Sequence, residues 1–123
     1  MSLQSLAKQF VDLCNQGKNF DVMKTMYADD IVSVEADGRE VVGKGPVIQK
    51  SKTWAANNEI HGGKCVGPYF SSQRAEDGQF AVTFQFEITP KATGKRITAE
   101  EVGLYTVKGG KITREQFFYE GKW

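Results

Sequence analysis

The sequence predicts an α+β domain in which three N-terminal helices pack into a curved, mostly antiparallel sheet. Three observations carry this. Apolar residues in the first half recur at steps of three and four, the helical repeat. In the second half the step changes to two, the repeat of a half-buried strand. Turn residues separate the successive runs, and helices followed by strands mark a layered α+β architecture.

From Ser2 to Gln16 the apolar positions are Leu3, Leu6, Phe10, Val11, Leu13 and Cys14, one face of an amphipathic helix. Ser2 is its expected N-cap and Gly17 its stop. Asn19 is placed to cap a second, short helix through Phe20, Val22, Met23, Met26 and Tyr27, ending near Asp29-Asp30. The β-branched run Ile31 to Ala36 reads as a strand closed by an Asp37-Gly38 turn. Gly43-Lys44-Gly45 reads as a loop, and Pro46 opens a third helix through Val47, Ile48, Ser51, Trp54 and Ala55 that ends at Asn57-Asn58. Ile60 to Ser72 is a bent strand, with Gly62, Gly63 and Gly67 allowing bulges. Phe80, Val82, Phe84, Phe86 and Ile88 then define one face of the clearest strand. Strands Arg96 to Val107 and Ile112 to Tyr119 follow, joined by the tight turn Lys108-Gly109-Gly110-Lys111. Three short helices cannot cover both faces of such a sheet, so it must curl around them. The interior is expected to be an apolar pocket, and the outer face is left for solvent or a partner.

The whole chain, residues 1–123, is expected to be one domain. Its 16 basic and 15 acidic residues are interspersed and leave a formal net charge of +1, which argues against a nucleic-acid partner. No apolar run reaches the ~18 residues of a membrane span. The segment Met1 to Phe10 lacks the apolar core of a signal peptide, so the expected location is cytoplasmic. Cys14 and Cys65 belong to no CxxC pair or Cys/His cluster, and His61 is the single histidine. No metal site and no cofactor are expected, and both cysteines are expected as free thiols.

Met26-Tyr27-Ala28-Asp29-Asp30 before Ile31 to Glu35 resembles a recurrent segment of the nuclear transport factor 2-like superfamily, which includes ketosteroid isomerase and the SnoaL-like polyketide cyclases. Gly43-Lys44-Gly45-Pro46-Val47-Ile48 and the ending Val107 to Ile112 with Phe117-Phe118-Tyr119 are similar to later parts of the same pattern, in order and along essentially the whole chain. The resemblance implies a cone-shaped, cystatin-like roll with a pocket at its wide end, homodimeric through the outer face of the sheet. It implies a small hydrophobic or polyketide-like ligand. If the protein is an enzyme, the implied chemistry is cofactor-independent isomerisation, cyclisation or dehydration by proton transfer. Fold alone does not decide this.

Among candidate residues, Glu35 stands at the spacing where ketosteroid isomerase carries its general base; the alternative is an exposed strand-end charge. The oxyanion hole of that enzyme, a tyrosine and a protonated aspartate, is missing: the resemblance puts those positions on Val11 and Gly103. Loss of even one such donor typically costs ~3 kcal/mol, so no steroid isomerase activity is expected. Glu101 shares a strand face with Ala99, Gly103 and Tyr105 and is the second candidate acid or base; an ion pair with a nearby Lys or Arg is the plainer reading. The two glutamates together suit an acid/base pair, or a cation or amine ligand. Glu115, Phe117 and Tyr119 form the inward face of the last strand by the superfamily's spacing, and Tyr119 is either a ligand donor or a core tyrosine. Trp54, Phe84, Phe86 and Tyr105 are further candidate pocket residues. His61 is a candidate because an unperturbed histidine changes charge near neutrality, but it begins a strand and a structural or exposed role is the plainer reading. A noncatalytic ligand-binding or dimeric interaction domain is the competing function.

Overall fold

The computed structural model describes residues 2–71 and 76–121. In chain order the elements are α1 (Leu3–Asn15), α2 (Asn19–Met26), β1 (Tyr27–Val34), β2 (Glu40–Val42), α3 (Lys44–Asn57), β3 (Asn58–Phe70), β4 (Gly78–Pro90), β5 (Ile97–Lys108) and β6 (Lys111–Phe118). The strands form one six-stranded sheet in the order β2-β1-β6-β5-β4-β3. Every pairing is antiparallel except β1 with β6, which is parallel. That exception follows from chain order. The helical segment α3 and the meander β3–β6 separate β1 from β6, and a hairpin turn cannot join parallel strands.

α1 forms as its spacing dictates. Ser2 Oγ accepts from the Ser5 backbone N–H at 3.1 Å and satisfies one orphan donor of the first turn. Leu3, Leu6, Ala7, Phe10 and Val11 are the buried face. Gly17, at φ 75°, supplies the left-handed residue that ends the helix. The helix packs on β3 and β4. There Phe10 meets Phe80 edge-on at 5.3 Å and Tyr105 at 4.6 Å, while Phe80 stacks on Tyr105 at 5.2 Å. This aromatic trio joins helix to sheet at the centre of the core.

The strands alternate as their sequences require. Phe80, Val82, Phe84 and Ile88 of β4 are buried, and Ala99, Gly103, Tyr105 and Val107 of β5 face the same way. In β3 the register slips between Ile60 and Gly62 and again between Val66 and Tyr69. Such bulges bend a strand, and they fall at the expected glycines.

Four local expectations are corrected. α2 stops at Met26 and Tyr27 begins β1, so the expected end near Asp29-Asp30 is too late. Tyr27 is drawn into the sheet by burial of its ring and a hydroxyl contact with β6. The cap of α2 is Lys18, without a side-chain bond, and Asn19 is its first helical residue. The short strand β2, which has no expected counterpart, pairs with β1 through Val32–Val42 and Ser33–Val41. α3 begins at Lys44, so most of the expected loop is already helix, with Gly43 as cap. The expected end of the bent strand at Ser72 lies outside the described residues.

Phe80 is fully buried within the ring cluster. Phe80→Ala is expected to lower the free energy of unfolding by about 3–5 kcal/mol. Val42→Ala, at an exposed edge position, should stay within ~0.5 kcal/mol of wild type. Urea unfolding followed by circular dichroism measures both.

Candidate active site

Between the helices and the inner face of the sheet lies a cavity of about 790 Å³. Its two sides differ in chemistry. One is aromatic: Phe84 stacks on Phe86 at 5.8 Å, and Phe86 meets Trp54 of α3 at 5.7 Å. The other carries carboxyl groups on or beside three strands: Glu35 just after β1, Glu101 on β5 and Glu115 on β6.

Lys50 of α3 organises this polar side. Its ammonium lies 2.7 Å from Glu35 Oε1 and donates to Ser33 Oγ at 2.6 Å, above the Phe117 ring at 5.3 Å. Tyr119 donates to the other Glu35 oxygen at 2.9 Å. Burial and that hydrogen bond push the Tyr119 hydroxyl up to about 12. Ser33 pairs in register with Glu115 across the parallel β1/β6 ladder. Glu115, only 1% exposed, accepts from the Tyr27 hydroxyl at both oxygens, at 3.0 and 2.9 Å. Burial raises Glu115 to about 7, against the opposing pull of Lys50 and the Tyr27 hydrogen bond.

Glu101 is different. It faces inward, as do Ala99 and Gly103 on either side of it along β5, and no hydrogen bond or ion pair from the described residues holds it. Burial raises it to about 8, helped by repulsion from Glu35 and then Glu115 and opposed by Lys50. At neutral pH it is therefore mostly a carboxylic acid.

All of the residues singled out in the sequence lie around this cavity: Glu35, Glu101 and Tyr119, Tyr105 and Phe117, Phe84, Phe86 and Trp54, and His61. Their surroundings refine the expectations. Tyr119 spends its hydroxyl on Glu35. His61 is an exposed strand residue whose Nε2 contacts Thr89 Oγ1 at 2.7 Å, which gives it a partner in the scaffold. Glu101 has no Lys or Arg partner; the basic partner belongs to Glu35 instead. Cys14 and Cys65 are free thiols on the cavity wall, brought together because Asn15 bonds both the carbonyl and the N–H of Cys65. Among the described residues, no group of three or more His, Cys, Asp or Glu side chains is arranged to hold a metal ion. No helix among them is long and apolar enough to cross a membrane.

Sequence reasoning placed no role on Lys50 or Ser33, counted Tyr27 only among the aromatic residues, and set Glu115 on the inward strand face without a role. Lys50 left a readable signal: it lies three residues after Val47 and four before Trp54, on the helix face that turns to the core. A lysine on an apolar face has a long stem to bury and a charge that needs a partner.

A three-helix layer inside a mixed six-stranded sheet, enclosing a cavity that carries carboxyl groups, is the nuclear transport factor 2-like roll. The SnoaL-like domain family model matches residues 1–119, and the chain belongs to that family. A protein from Mesorhizobium loti, assigned by inference as a SnoaL-like polyketide cyclase, is 48% identical, with 97% of this chain and 100% of that one covered at a TM-score of 0.89. A protein from Catenulispora acidiphila with a ketosteroid isomerase-like fold, solved with trimethylamine, is 19% identical over 98% of this chain and 88% of its own, at a TM-score of 0.70. A nuclear transport factor 2-like protein of Cytophaga hutchinsonii is 13% identical, covering 95% and 98%, at 0.71. The last two likenesses show the fold. No curated protein matches the chain.

Folding lifts Glu101 from 4.5 to about 8, so the folded chain retains a proton that the unfolded chain releases. The stability tied to that proton is complete below the unfolded value and is lost as pH rises to about 8. Glu101→Gln, a permanently neutral side chain of the same shape, is expected to melt above wild type at pH ~9 and close to it at pH ~4. Thermal melts across that range read the difference.

Proposed function

We propose that this protein is a cofactor-independent acid–base enzyme acting on a small, largely apolar carbonyl compound. One observation supports this above the others: two carboxyls share a cavity but occupy opposite environments. Glu35 is a carboxylate bridged to Lys50, whereas Glu101 is unpartnered and held protonated. Environments that separate two carboxyls in this way assign base and acid. Glu35 would take a proton from the carbon next to the substrate carbonyl. The C–H electron pair becomes a C=C bond, the carbonyl π pair moves to oxygen, and Glu101 delivers its proton there. Collapse of the enol returns that proton to Glu101, and the proton held by Glu35 goes to carbon; or the enol carbon attacks a second carbonyl, the π pair of that carbonyl moves to its oxygen, and the oxygen takes the proton held by Glu35. The aromatic side formed by Trp54, Phe84 and Phe86 suits a planar ring or enone. The description of the Mesorhizobium loti relative is in keeping with a polyketide-type carbonyl substrate.

A noncatalytic ligand-binding role is the second reading, favoured by Glu35 having both oxygens engaged, one by Lys50 and one by Tyr119. Exchange of α-protons for deuterium in D2O separates the two. Across a panel of cyclic ketones and 1,3-diketones followed by NMR, the enzyme reading expects catalysed exchange that declines as pH rises through about 8. Glu35→Gln and Glu101→Leu should each lower it ~100-fold or more. Binding of panel compounds without exchange would leave the second reading.

A homodimer through the outer sheet face is also proposed. Val66, Thr83, Val102 and Phe118 stand in register across β3, β4, β5 and β6, and the three large apolar members are 43%, 37% and 49% exposed. Three apolar side chains on β3, β5 and β6, with Thr83 between Val66 and Val102, form a patch of the kind that marks an interface. Phe118→Glu is expected to convert a dimer to a monomer in analytical ultracentrifugation; a wild-type monomer at high concentration would refute this.

A further inference from the structure

The chain has two cysteines, and folding brings both to the cavity wall as free thiols. The acid–base reading uses neither. Cys14 lies in the last turn of α1, and Cys65 is a buried residue near the middle of β3. β3 is an edge strand of the sheet, so alternate backbone groups along it have no neighbouring strand to bond. At Cys65 the side chain of Asn15 takes the place of that strand. Its amide nitrogen donates to the Cys65 carbonyl at 2.9 Å, and its oxygen accepts from the Cys65 N–H at 2.8 Å. This clamp fixes Cys65 against the residue that follows Cys14, and the two thiols are hydrogen-bonded to each other.

The pair is unequal. The bond from Cys14 holds the Cys65 thiol below the usual range, against the effect of burial. The same bond, together with burial, pushes the Cys14 thiol up. The thiolate is the attacking form of cysteine, and a close donor stabilises it. Cys65 is therefore the nucleophile of the two, and Cys14 is the thiol held back beside it. The register sets Cys65 opposite Phe84, and Phe84 opposite Glu101. Two strand spacings, roughly 10 Å, separate the backbone at Cys65 from that at Glu101. The Cys65 thiol thus belongs to the aromatic side of the cavity, where Phe84 stacks on Phe86.

We infer that Cys14 and Cys65 form a thiol–disulfide exchange site that takes small, flat disulfides from the cavity, with Cys65 attacking and Cys14 completing the exchange. This goes beyond the acid–base reading and does not depend on it. In the first step the Cys65 sulfur, having released its proton, bonds to one sulfur of the ligand. The ligand S–S bond breaks, and its other half leaves as a thiol with the proton that Cys65 released. In the second step the Cys14 sulfur loses its proton and bonds to the Cys65 sulfur. The mixed S–S bond breaks, and the second half leaves as a thiol with the Cys14 proton. Two protein thiols are oxidised to one disulfide, and one ligand disulfide is reduced to two thiols. The product ties the end of α1 to β3 across the cavity wall.

The test adds equimolar dithiodipyridine, a small aromatic disulfide whose reduced halves absorb as pyridinethione, to the intact protein at pH ~7. Wild type is expected to release both halves and to leave a monomer two hydrogens lighter than the reduced chain by mass spectrometry. Cys14→Ala should stop after one release, with the other half held on Cys65. Cys65→Ala should give its first release about tenfold more slowly or worse. Asn15→Ala should slow the second release relative to the first. A stable pyridyl adduct on wild type, a disulfide-linked dimer, or no release until the protein is unfolded overturns the exchange site. Wild type alone decides these outcomes, so they hold whether or not a variant folds. A first release from Cys65→Ala at the wild-type rate overturns the order of attack. An undiminished second release from Asn15→Ala overturns the role given to Asn15.

Discussion

The polar interior of this protein depends on one ammonium group. Lys50 reaches from α3 into the cavity and meets Glu35 and Ser33. Through Ser33 its influence extends to Glu115, which Tyr27 holds from the other side. The result is a polar chain from Tyr119 to Tyr27 that ties α3, β1 and β6 together. Charges removed from water are tolerated only with close partners, and taking one member away leaves the other uncompensated. Both Glu35 and Glu115 have such partners. The location of the parallel β1/β6 pairing matters for the same reason, because it sets Ser33 beside Glu115 in register.

Against that satisfied chain, Glu101 stands apart. It sits in the same cavity, within the field of Glu35 and Glu115, without a counter-charge of its own. Desolvation and repulsion both favour its neutral form. One cavity thus holds an ion-paired carboxyl, Glu35, and an unpaired one, Glu101, with aromatic rings lining its other side. The difference arises from placement: Lys50 of α3 meets Glu35 at 2.7 Å, and no ion pair among the described residues reaches Glu101.

Much of the fold was legible because its signals are local. Period-two alternation in Phe80 to Ile88 needs only neighbours along the chain, and Lys108 to Lys111 announces its own hairpin. The inward direction of Glu101 followed from Gly103 and Tyr105 on the same alternation. Failures came where long-range contacts overrode local preference. Tyr27 continues a helical spacing in sequence, but its hydroxyl bonds Glu115, 88 residues away, and it becomes the first strand residue. β2 is too short to carry a pattern, and exists because β1 has a free edge beside it. Lys50 was passed over because a helical lysine ordinarily faces water.

By itself the sequence determined the order of the helices and long strands and their apolar faces, and it offered Glu35, Glu101, Tyr105 and the aromatic residues as candidates for one interior, because hydrophobic periodicity and strand alternation are written in neighbouring residues. Only the tertiary structure decided what those groups are chemically. Whether a carboxyl is ionised, and whether a hydroxyl is free to meet a ligand, depends on atoms brought close by folding. Lys50 lies 15 residues from Glu35 in sequence but 2.7 Å away in space. Glu101 is left without such a neighbour, and electrostatic energy depends on separation in space and on the water excluded around it, neither of which sequence distance measures.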